Sequence, residues 1–188
     1  MRPSKRDELV EKALLVFYRH GFHATGMDRL VAETGISKTS MYKHFSTKED
    51  LILAALALRD KQFRRWLFRR MEQLGSTPRG QLIAMFDSLK EWFAQEGFQG
   101  CMFIKAAAEY QKSADPIHMK SAEHKSILIS CFSDIAKRAG AADPDTLACR
   151  LMLLKEGAIV AAQFGITKNP AMDAKAAAKI LLADALGQ

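Results

Sequence analysis

Residues 27–45 read MDRLVAETGISKTSMYKHF. Two short segments with apolar residues at helical spacing lie on either side of Gly35-Ile36-Ser37. Met27, Leu30 and Val31 form the inward side of the first; Met41, Tyr42 and Phe45 form that of the second. Glycine at 35 lets the chain turn through a backbone conformation that side chains resist. Ile36 plugs the angle between the segments, and Ser37 offers a side-chain oxygen to the first free N–H groups of the second. The pattern predicts helices over 27–34 and 38–44 joined by a three-residue turn, a helix-turn-helix. The outer face of the second helix carries Lys38, Thr39, Ser40 and Lys43, all cationic or small hydrogen-bonding groups. Such a face fits the major groove of duplex DNA with its N-terminal side chains near base edges.

Working outward, the chain reads as helix nearly throughout, and no run of alternating β-branched residues suggests a strand. Leu9, Val10, Ala13, Leu14, Phe17 and Tyr18 form a helical stripe ahead of the motif. Four of the five prolines follow a good capping residue, in Thr77-Pro78, Asp115-Pro116, Asp143-Pro144 and Asn169-Pro170. Proline at the first helical position loses no hydrogen bond, so helices start at 78, 116, 144 and 170. Ser4 with Asp7 and Thr47 with Asp50 have capping-box spacing and mark starts near 5 and 48. Gly21, Gly35, Gly75, Gly97, Gly140 and Gly165 are natural stops. The reading is an all-α protein of about nine helices, over 5–20, 27–34, 38–44, 48–74, 78–96, 100–112, 116–139, 144–164 and 170–186.

A chain of 188 residues, 48% hydrophobic and 26% charged, is long enough for a self-sufficient core and too apolar for wholesale disorder. The formal net charge is +7, and all of the excess lies at one end. Residues 1–79 hold 16 Lys and Arg against 9 Asp and Glu; the remainder holds 12 against 12. A basic end on a neutral body suggests a polyanion contact localised there. No apolar run reaches the roughly 18 residues of a membrane span, so no membrane role is expected. Met1 to Lys12 lacks the apolar core of a signal peptide. Cys101, Cys131 and Cys149 are odd in number and far apart, which fits a reducing cytoplasm rather than disulfides or zinc.

Gly35-Ile36-Ser37, Met41-Tyr42-Lys43-His44-Phe45 and Thr47-Lys48-Glu49-Asp50-Leu51 together closely resemble the DNA-binding signature of the TetR family of bacterial transcriptional regulators. The specific match covers residues 21–51; the later helices fit in number, order and length. The resemblance implies that Lys38, Thr39, Ser40 and Lys43 read bases. It also implies that Thr25, Ser37, Tyr42, His44 and Lys48 hold the phosphate backbone. Lys48, at a helix start, stands where anions are already favoured. Gly26 departs from the pattern: the family often has threonine there, so a phosphate contact is either lost or taken over by Thr25 or by backbone N–H groups.

The resemblance further implies a DNA-binding domain over 1–47 and a helical effector-binding and dimerisation domain over 48–188. The partners are then double-stranded operator DNA, a second copy of the chain and a small apolar or aromatic effector. The dimer would use the helices near 144–164, with Leu147, Leu151, Leu154, Ala158 and Ala162 along one side, and 170–186, with Ala174, Ala177, Ala178, Leu181 and Leu182, unless these faces pack inside one monomer. Candidate pocket residues are Phe63, Trp66, Phe86, Leu89, Trp92, Phe93, Met102, Phe103, Phe132 and Met152, large aromatics with adaptable methionines. Glu109, Tyr110, His118, Glu123 and His124 are polar groups that would orient a ligand. Arg64, Arg65, Arg69 and Arg70 read as a solvated basic face. Cys101, after Gly100 at a helix start, reads as a small buried residue or a redox switch. The alternative function is a helix-turn-helix protein with no small-molecule ligand. No nucleophile elbow, phosphate loop or HExxH motif is present, so no enzyme, cofactor or metal is expected.

Overall fold

Helices begin in this chain where a side chain can cap them. The computed structural model describes residues 4–187. Among these it has nine helices and no strand: α1 Lys5–His20, α2 Met27–Thr34, α3 Lys38–His44, α4 Lys48–Leu74, α5 Pro78–Phe93, α6 Met102–Glu109, α7 Pro116–Arg138, α8 Pro144–Phe164 and α9 Pro170–Ala185. Ser4, Ser37, Thr77 and Asp143 each accept a backbone N–H three residues on. Thr47 and Asp50 bond each other's backbone N–H, both at 3.0 Å, a reciprocal box at the start of α4. Asn169 makes no side-chain cap, so proline alone marks the start of α9.

Five helices have the limits expected from sequence, and two are clearly shorter. α5 ends at Phe93 rather than 96, because Gln95 N–H bonds Trp92 O and Phe98 N–H bonds Gln95 O, which turns the chain out of the helix. Gly97 therefore lies in a turn, at φ +80°, and caps nothing. α6 starts at Met102 because Gly100 sits at φ +76°, outside the helical region.

The chain forms two compact units, one of residues 4–62 with Met102–His124 and the other of Phe63–Cys101 with 125–187. In the first, α1 packs on α2 and α2 on α3. Leu9, Ala13, Phe17, Phe22, Leu30, Met41, Leu51, Ile52 and Leu56 are its buried core. Phe17 and Phe22 stack with centroids 5.5 Å apart. The inward side of α2 is Leu30 and Thr34; Met27 and Val31, expected inside, are half-buried.

In the second unit α9 packs on both α5 and α8. Leu147, Leu151, Ala158, Ala174, Ala178 and Leu182 are buried within this one chain. The stripes expected to meet a second chain are thus largely occupied within one chain. The large apolar residues left outside on the same helices are Leu153, Phe164 and Ile180, each more than 70% exposed.

Phe132 is fully buried in this unit and meets Phe68 edge-on at 5.9 Å. Phe132→Ala is expected to lower stability by about 3–5 kcal/mol, from lost transfer energy plus the cavity left behind, as measured by urea unfolding followed by circular dichroism.

Candidate nucleic-acid interface

The seven residues of α3 are too few to form a stable helix alone. Met41 and Phe45 anchor it to the core, and the Arg6 guanidinium lies 4.9 Å from the centroid of the Phe45 ring. Gly35, at φ +70°, ψ +11°, ends α2 in the left-handed conformation that glycine adopts without strain. Its N–H bonds Val31 O, and the buried Thr34 hydroxyl donates to Leu30 O while accepting Ile36 N–H. Lys12 of α1 donates to Thr34 O. The end of α2 is thereby satisfied from both sides, and the direction in which α3 departs is set.

With its apolar side held, α3 turns Lys38, Thr39 and Lys43 to solvent, and Ser40 is half-exposed. Lys38 Nζ stands 3.9 Å from the fully open Asp28 carboxylate, a pair weak enough to exchange for another anion. Tyr42 is 48% exposed and His44 is open. Ser37 faces solvent while its hydroxyl caps α3. These residues form one outward polar surface with mobile hydrogen-bond donors.

Two of the expected phosphate-binding residues are placed differently. Thr25 is fully buried, and its hydroxyl donates 2.6 Å to Gly21 O. Lys48 is half-buried and donates 3.1 Å to Phe22 O. Both hold the loop between α1 and α2.

That loop also has a partner that sequence reading assigned elsewhere. Both carboxylate oxygens of Glu109 accept Phe22 N–H at 3.0 Å, and Oε2 also accepts His23 N–H. A Cβ on Gly21 would lie 2.9 Å from Glu109 Oε1 and push the carboxylate aside, and the φ of +81° would strain any residue but glycine. Tyr110 lies tilted beside His23 with centroids 4.7 Å apart and meets Phe22 edge-on at 6.4 Å. Burial, with the charges of Glu49, Glu109 and Asp115 around it, pushes the Tyr110 phenol up to about 12. The nearest sequence signal was the acidic residue at the end of a short helix; its partner is 87 positions away.

The other polar candidates have structural partners as well. His118 Nδ1 is 2.8 Å from Tyr110 O, and Glu123 pairs with Lys120. His124 Nδ1 lies 2.6 Å from the Asp60 carboxylate, with its ring stacked on Phe103 at 3.7 Å. Arg70 is bound by Glu91 and Gln73. Of the aromatic candidates, Phe63, Trp66 and Trp92 are brought together with centroids 5.1–6.4 Å apart. Phe93 continues the row from Trp92 at 5.9 Å. Phe86, Leu89, Phe132 and Met152 are buried in the same unit, whereas Met102 and Phe103 belong to the other. No group of three or more His, Cys, Asp or Glu among the described residues is arranged to hold a metal. Nor is any described helix long and apolar enough to cross a membrane.

An all-α chain with an outward-facing second helix in a helix-turn-helix defines a class, the DNA-binding regulators of transcription. Residues 9–55 match the family described as bacterial regulatory proteins, tetR family. A TetR-type regulator from Streptomyces avermitilis is 31% identical, with a TM-score of 0.86 covering 97% of this chain and 98% of that one. A TetR-family regulator from Streptomyces coelicolor is 28% identical, with a TM-score of 0.87 covering 96% and 95%. The transcriptional regulator YjdC of Escherichia coli is 22% identical over 155 residues, 82% of this chain and 81% of that protein. The chain belongs to the TetR family, whose members are transcriptional regulators and not enzymes.

Glu109→Ala leaves Phe22 N–H without its charged acceptor. It is expected to cost about 1–3 kcal/mol in urea unfolding, with faster amide exchange at residues 21–25. Glu109→Gln keeps one acceptor oxygen and should lose less.

Proposed function

We propose that this regulator binds operator DNA as a dimer, acts as a repressor, and is released by a small apolar or aromatic effector. The observation that carries the reading is the division of α3: Met41 is buried while Lys38, Thr39 and Lys43 face solvent. On this reading Lys38, Thr39, Ser40 and Lys43 contact base edges in the major groove. Ser37, Tyr42, His44 and Lys48 contact the flanking phosphates and set the register. Thr25 contributes from inside, by holding the loop before α2.

Residues 1–47 serve as the DNA-binding domain and 48–188 as the effector-binding and dimerisation domain. A second chain supplies the second reading helix, one DNA turn or about 34 Å away. The exposed apolar row of Leu153, Gly157 and Phe164 on α8, with Ile180 on α9, supports this pairing. Nothing lies within 4 Å of where a Gly157 Cβ would be, which leaves room for a close helix. Repression follows from occupancy of promoter DNA. An effector relieves it only by binding more tightly to a conformation whose reading helices no longer match the groove spacing. Three free cysteines and the absence of a membrane-spanning helix among the described residues are consistent with work in the cytoplasm.

Footprinting on the DNA upstream of the protein's own gene is the direct test. A salt-sensitive protected site is expected, and failure to protect any duplex would refute the reading. On that site, Thr39→Ala and Lys43→Ala should each cost about 1–3 kcal/mol and relax base preference. Tyr42→Ala should weaken cognate and scrambled duplexes alike in anisotropy titrations. Leu153→Glu with Ile180→Glu should yield a folded monomer in sedimentation and at least tenfold weaker operator binding. A dimer that survives both changes would place the interface elsewhere.

A further inference from the structure

Four residues of the second unit form a charged cluster for which the DNA-binding surface has no use. Glu156 accepts Lys155 Nζ on one carboxylate oxygen and Lys125 Nζ on the other, each at 2.7 Å. Lys125 also donates to Cys101 Sγ at 3.3 Å. The Lys155 side chain is 1% exposed, while those of Lys125 and Glu156 are 24% and 22% exposed. The cluster is therefore sealed at Lys155 and open at its other edge.

Two ammonium groups share one carboxylate. The remaining member, the Cys101 thiol, is neutral when protonated. The cluster then holds one uncompensated positive charge, its most protected part fully removed from water. An uncompensated buried charge is costly, and the cost falls sharply when an anion joins it. The cost of that charge shows in the protonation balance. Burial pushes the Lys155 ammonium below the usual lysine range, and the Lys125 charge adds to this, against the pull of Glu156. Burial also works against the Lys125 charge, but Glu156 beside it holds that ammonium above the usual range.

The same ammonium adjoins the aromatic row. Lys155 Nζ lies 5.4 Å from the centroid of Phe63, which meets Trp66 at 5.6 Å and Trp92 at 5.1 Å. A surplus cation beside a cluster of apolar rings describes its complement. A monoanion neutralises the cluster, a dianion reverses its sign, and a cation repeats the existing excess.

We propose that the effector is a small organic monocarboxylate whose charge completes the Lys125–Glu156–Lys155 cluster and whose apolar or aromatic body lies on Phe63, Trp66 and Trp92. This rests on the effector reading given above and adds to it the chemical class of the ligand.

Matched sets test it with the full chain. Calorimetry and thermal shift are run with 3-phenylpropanoate, 2-naphthylacetate and octanoate, each beside its primary amide and its primary amine. In at least one set the carboxylate is expected to bind at least tenfold more tightly than the amide, with the ammonium weakest. Lys155→Met and Lys125→Met should each reduce carboxylate affinity to that of the amide. Amide affinity should not change, which reports that the variant has kept its shape. An amide or ammonium that equals the carboxylate, or a carboxylate preference that survives both substitutions, overturns the assignment. Carboxylate binding that leaves the protein–DNA complex intact counts against the effector reading while the anion site stands. Failure of every set to bind overturns both.

Discussion

A seven-residue helix cannot hold itself together in water, and this shapes the whole DNA-reading end of the protein. α3 exists because Met41 and Phe45 are buried and because Gly35 and Ser37 fix its point of departure. Every donor that it offers outward depends on those inward attachments. The arrangement also explains why the motif is dense in signals. Tight turn, cap, two apolar anchors and a polar outer face all fall within a dozen residues. Each is local, so each is visible in the sequence.

The loop between α1 and α2 is governed by a different kind of interaction. Its backbone is tied by a carboxylate from α6, an ammonium from the start of α4 and the hydroxyl of Thr25. Charged groups bonded to part-buried backbone are among the stronger hydrogen bonds in a protein. They turn a six-residue connection into a fixed support for α2. Lys48 and Glu109 thus have structural work to do whatever else they touch. For Lys48 this does not compete with an anion contact, since an ammonium has three donors and Phe22 O uses one.

Polar groups inside the second unit raise the opposite question, what they are for. Lys175 with Asp87 and Arg70 with Glu91 are balanced pairs at the edge of the unit. Lys125, Lys155 and Glu156 are unbalanced, and one of them is sealed from solvent. Packing alone does not require such a group, because a hydrophobic side chain of similar volume would fill the site at no electrostatic cost. Its place beside the Phe63 ring is the feature on which the proposed ligand class rests.

Sequence alone determined the helices and the reading motif, because caps, prolines and left-handed glycines act within four residues of themselves. Five helices have the limits those signals give; α5 falls short at a turn made by backbone bonds with no side-chain signature, and α6 starts late because Gly100 takes a left-handed conformation. The charge imbalance between the two ends was likewise readable by counting. The packing side of α8 and α9 was not. Both helices carry small or apolar residues around much of their circumference, so a stripe that fits a second chain also fits α5 and the neighbouring helix. Nor could spacing reveal that Thr25 points inward, that Glu109 meets a backbone 87 positions away, or that Lys155 is buried against Phe63. Those are pairings between distant segments, decided only when the chain has closed on itself and each polar group has had to find whatever partner lies beside it.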